Sequence, residues 1–70
     1  KGGETMHFET RVVVVETEGR GVRAATEQLA VDIALLGSEG WEVKGLSSML
    51  PDEYHGYHIC VLQRPTSTKS

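Results

Sequence analysis

The apolar positions of this chain fall into blocks separated by charged or glycine-rich breaks. The first block centres on Val12-Val13-Val14-Val15, four β-branched residues whose stiff side chains favour extended backbone. It predicts a strand over about residues 6–16, broken by Glu16-Thr17-Glu18-Gly19-Arg20-Gly21. Val22, Ala25, Leu29, Ile33 and Leu36 follow at spacings of 3, 4, 4 and 3, which puts them on one narrow face of a helix over 22–36. Gly37 is expected at the left-handed position that closes the helix, and Gly21 as its N-cap. Trp41–Met49 and Tyr57–Gln63 predict two more strands, joined by the polar loop 51–56 and stopped by Pro65.

These lengths fit together. A helix over 22–36 is about 22 Å long, and a strand of six or seven residues spans about 20–23 Å. One helix can therefore lie across one face of a three-stranded sheet. The short loop makes the second and third strands antiparallel. The continuous run Tyr57-His58-Ile59-Cys60-Val61-Leu62 belongs in the middle of the sheet. The expected fold is α+β, a single β-α-β-β domain over 6–65 with strand order 1-3-2 and all neighbours antiparallel. Residues 1–5 and 66–70 read as flexible termini.

One helix leaves one sheet face uncovered, and alternation gives that face two of the four valines. Trp41, Val43, Tyr57, Ile59 and Val61 are expected to face the helix. Val13, Val15, Leu46, Cys60 and Leu62 are then left on the open face. The helix has its own surplus, because Ala24, Val31 and Leu35 lie opposite the core stripe. Apolar patches of this kind usually mark interfaces. Covering about 500 Å² of apolar surface contributes on the order of 12 kcal/mol before association costs. A homo-oligomer is expected, with open sheet faces packed together or a protein partner in place of the second copy.

Composition narrows the setting. Seventy residues, 39% of them apolar, allow one small domain, which buries only about 60% of the surface it exposes unfolded. Seven basic residues against ten acidic ones give a net charge of −3, with no basic stripe for nucleic acid. No apolar run reaches the roughly 20 residues that span a bilayer. A lone cysteine, Cys60, forms no intramolecular disulfide and suits the cytoplasm.

Three groups are candidates for chemistry. Arg20, Gly21 and Arg23 stand at the helix start, where unpaired N–H groups and partial positive charge attract an anion. The plainer reading is a turn with solvated arginines. Trp41 offers a stacking platform for a flat ligand, or more simply a core residue closing the helix end. His55, His58 and Cys60 carry zinc- or copper-type ligand atoms, though their spacing matches no strong metal signature. No catalytic set is recognisable, because a Cys60–His58 pair on a flat sheet face lacks a cleft. No enzyme, metal or cofactor is therefore expected.

The segment Leu35-Leu36-Gly37-Ser38-Glu39-Gly40-Trp41-Glu42-Val43 resembles the Leu-Gly-x-Glu-Gly-Trp-Glu signature of the Domain of Unknown Function 4177 family. Arg11-Val12-Val13-Val14 and the closing Gln63-Arg64-Pro65 are similar to that family's first and last strands. The chain departs from the pattern in its 17–21 connection and at Gly45. The resemblance implies the β-α-β-β fold and carries no activity. A looser resemblance, to dodecins, rests on size, element order and Trp41-Glu42-Val43 after the helix. It implies, as the alternative function, an oligomer that binds flavin near Trp41.

Overall fold

The order β-α-β-β is realised as β1 (Glu4–Glu16), α1 (Gly21–Gly37), β2 (Glu42–Met49) and β3 (Tyr57–Lys69). This computed structural model describes residues 4–69; residues 1–3 and 70 of the expected termini lie outside the described residues. The three strands form one antiparallel sheet in the order β1-β3-β2, with α1 packed on one face. This is the α+β arrangement that the strand and helix patterns predict.

The core is small. Val15, Ala25, Leu29, Cys60 and Leu62 are buried, and Val13, Ile33, Leu36 and Trp41 pack around them. The helix stripe thus contributes Ala25, Leu29, Ile33 and Leu36, as its spacing requires.

The faces of β1 and β3 are reversed from the sequence expectation, whereas Trp41 and Val43 lie on the helix side as expected. Val13, Val15, Cys60 and Leu62 lie under the helix, not on the open face. Tyr57, Ile59 and Val61 point to the open side, together with Val12 and Val14. Two physical features account for this. A bulge between Val43 and Gly45 puts an extra residue into β2, so Val43 opposite Leu62 and Leu46 opposite Cys60 share the helix-side face. The parity that buries Cys60 and Leu62 also buries His58, and hydroxyls on both sides satisfy its ring. Leu46 is on the helix side yet 56% exposed, because α1 lies chiefly over β1 and β3.

The helix ends also differ. Gly37 is the last helical residue, and Ser38 follows in right-handed geometry. The left-handed turn comes at Gly40, with φ +93°. Ser38 Oγ donates to the Leu35 carbonyl at 2.6 Å, satisfying one of the last free carbonyls.

Pro65 does not stop β3. The strand continues to Lys69, opposite Glu4, and so takes in most of the expected C-terminal tail. Hydrogen-bond parity explains the tolerance. Thr17 N–H donates to the Gly56 carbonyl at 2.9 Å, and the β1–β3 register runs unbroken from Glu16↔Tyr57 to Glu4↔Lys69. Odd-numbered β1 residues therefore bond to even-numbered β3 residues. Pro65, opposite Phe8, turns its nitrogen away from β1. It points past the end of β2, whose pairing stops at Glu42↔Gln63, so no ladder bond is lost.

Candidate functional site

The helix start, where Arg20, Gly21 and Arg23 suggested an external anion, already holds a carboxylate from the chain itself. Glu53 Oε2 accepts the Val22 backbone N–H at 3.0 Å. A negative charge at this end satisfies an orphan donor and complements the helix dipole. Gly21 makes the approach possible. Its φ is +89°, and a Cβ there would sit 2.6 Å from Glu53 Oε2. Gly21 is the first helical residue and Arg20 the cap, with no side-chain bond of its own. Arg23 points to solvent and lies 3.9 Å from Glu27.

A second linkage holds the same end. Thr17 is fully buried at the end of β1. Its N–H and hydroxyl both donate to the Gly56 carbonyl, and its Oγ1 accepts the Gly56 N–H at 2.8 Å. Its own carbonyl accepts from Arg20 and Gly21. Thr17 therefore ties the β1–α1 turn to the start of β3. Loop 51–56 is closed internally by Asp52, which accepts the Tyr54 N–H at 2.9 Å and pairs with His55 at 2.8 Å. The Tyr54 N–H, then His55, hold the Asp52 carboxyl below the ordinary aspartate range.

Trp41 lies at the opposite end of the helix and is half-buried against the core. The Arg64 guanidinium sits 4.6 Å from its ring centroid and that of Arg11 5.5 Å, both within cation–π range. Arg64 also donates to Glu9 at 2.7 and 3.0 Å and to the Glu39 carbonyl at 3.1 Å. A Cβ on Gly40 would meet Arg64 Cδ at 3.4 Å. Gly40, Trp41 and Arg64 thus form a clamp that joins the α1–β2 turn to β3. A flat ligand at Trp41 would compete with these guanidiniums for the ring.

His55, His58 and Cys60 are not brought together as one ligand set. His55 is in the exposed loop with Asp52. His58 is buried, with Nδ1 2.6 Å from Ser48 Oγ and Nε2 3.0 Å from Thr26 Oγ1. Cys60 is buried under the helix, and burial raises its thiol pKa. Among the described residues, no three His, Cys, Asp or Glu side chains are grouped to hold a metal. Ser48 and His58 do make a hydroxyl–imidazole pair, the beginning of a nucleophile–base arrangement. Surface hollows of about 230, 330 and 420 Å³ are lined by neither of them. His58 fastens β2 to β3 through Ser48 and α1 to β3 through Thr26.

The largest unexplained feature is apolar surface. On the open sheet face, Phe8, Val12, Val14 and Met49 are each more than half exposed, and Tyr57 lies beside Met49. On the helix, Val31 and Leu35 are 52% and 61% exposed. The signals missed in the sequence were Thr17, Ser48, Glu53 and Arg64, which fasten elements together. Among the described residues, no helix is long and apolar enough to cross a membrane. No family model, curated protein or solved structure matches this chain.

Proposed function

We propose that this chain is a small assembly module that associates with a second copy of itself through the open face of its sheet. The observation that supports the reading is the apolar strip of Phe8, Val12, Val14, Met49 and Tyr57 on the face opposite α1. Among the described residues the buried apolar core is five side chains, which is slight for a domain of this size. Small domains in that position commonly gain stability by association. The strip is uncharged at its centre, as the middle of an interface requires. The lone buried thiol of Cys60 favours a cytoplasmic setting.

Membership of the Domain of Unknown Function 4177 family is part of the same proposal. Its support is that Gly40, Trp41 and Arg64, carried by the resembling segments, act together as one structural clamp. The resemblance supplies no chemistry, which accords with a module that acts by binding.

Met49→Lys tests the sheet-face reading. Met49 is 56% exposed on β2, so a lysine leaves the single chain's core untouched. A fall in mass by light scattering, with an unchanged circular dichroism spectrum, supports the reading. An unchanged oligomer mass contradicts it. A wild-type mass of one chain that rises only with a different protein would replace the second copy with that partner.

A further inference from the structure

We propose that the free edge of β1 pairs antiparallel with β1 of a second copy, making one continuous six-stranded sheet. This deepens the self-association reading and rests on it only in requiring a second copy, because the contact is an edge and not the open face.

Backbone parity gives the edge its donors and acceptors. Odd-numbered residues of β1 bond to β3, as the Thr17–Gly56 bond and the unbroken register establish. Phe8, Thr10, Val12, Val14 and Glu16 therefore aim their N–H and C=O groups outward. Such an edge is a template for another strand unless something blocks it. The other edge, β2, has blocks: it is eight residues long and carries Lys44, Gly45 and a bulge. Residues 7–16 of β1 contain no lysine, proline or glycine, and the register shows no bulge.

The sequence of this edge also complements itself. An antiparallel pairing centred on Val13 sets Val12 opposite Val14 of the second copy, joined by outward-facing groups on both. It sets Arg11 opposite Val15 and Thr10 opposite Glu16, so no like charges oppose each other across the seam.

The helices fit the same arrangement. α1 packs more against β1, the strand that would carry the seam, than against β3 or β2. The flank turned toward the seam is mixed, with Gln28 and Asp32 beside Leu35. Leu35 lines a hollow of about 330 Å³ together with Arg11 and Val13, and Val31 lies one turn before it. Pairing at β1 would bring Leu35 of each copy toward the seam.

Residue-resolved amide exchange on the full chain tests the proposal, alongside Val12→Pro. Proline at this position removes an outward N–H and leaves the β1–β3 ladder intact. The expected result is that Val12 and Val14 amides exchange at least about tenfold slower than exposed amides. Val12→Pro should stay folded and lose mass. Fast exchange at both amides in the associated protein would overturn the proposal, as would a folded Val12→Pro chain of wild-type mass. If Val12→Pro fails to fold, the wild-type exchange rates still decide. Met49→Lys separates the two contacts: protection at Val12 and Val14 survives it if the edge pairs. Unchanged mass in that variant counts only against the sheet face.

Discussion

Glu53 and Val22 stand 31 positions apart, and the carboxylate of one accepts the backbone N–H of the other at 3.0 Å. The cap of α1 is therefore supplied by the β2–β3 loop and not by the residues before the helix. The sequence points to Gly21 as cap, whereas the structure puts Arg20 there, with no side-chain bond of its own. Glu53→Ala should cost about 1 kcal/mol, the usual worth of a helix N-cap, and lower Tm by roughly 5 °C. Adding phosphate should return part of that loss in the variant but not in the wild type. Thermal melts of both proteins in the two buffers check this.

Thr17→Val keeps the shape of a buried side chain and removes its hydroxyl. Gly56 N–H then loses its 2.8 Å acceptor. An unsatisfied buried donor costs about 1–3 kcal/mol, so Tm should fall on the order of 10 °C in a domain this small. Thr17→Ser should retain most of the stability, because its hydroxyl can make the same bonds. A denaturant titration of the two variants distinguishes a lost hydrogen bond from lost packing.

Loop 51–56 should loosen in acid. The Asp52 carboxyl is held below its ordinary value by the Tyr54 N–H and by His55. A depressed carboxyl stabilises the folded loop above the ordinary aspartate range, and that support is lost as pH falls through the lowered value. The Tyr54 amide resonance should therefore move with an apparent pKa below 3.8. The Asp52→Asn variant should abolish that titration. A midpoint at or above the ordinary value would contradict the geometry.

Cys60 should be slow to react. It is buried beneath the helix, and burial keeps the thiol protonated. Alkylation by iodoacetamide at mildly alkaline pH should be at least about tenfold slower in the folded chain than in urea. Fast labelling of the folded chain would mean that α1 opens readily from β3.

The architecture was legible because each element carries its own period. The valine run, the 3–4 spacing of the helix stripe and the apolar Tyr57–Leu62 run are local signals. The strand order followed from the short loop and from the most apolar strand taking the centre. The choice of faces was not legible, because alternation separates two sets without saying which one meets the helix. The Val43/Gly45 bulge decided part of it, and hydroxyl partners for a buried His58 decided the rest. Pro65 reads as a stop in the sequence, because its tolerance within β3 depends on where β2 ends. The anion-attracting character of the helix start was legible, but the chain's own Glu53 meets it from a distant loop. Trp41 marks the closing of the helix end, and Arg64 stands in the resembling closing segment, but their contact depends on the strand pairing.

Native mass spectrometry of the wild-type chain, at rising concentration, tests self-association most directly. The expected result is a closed oligomer with no added mass, dissociating on dilution into single chains. A single chain at every concentration would contradict it, leaving the strip of Phe8, Val12, Val14 and Met49 to a different protein. An oligomer carrying the added mass of a flavin would contradict the module reading and favour ligand binding beside Trp41.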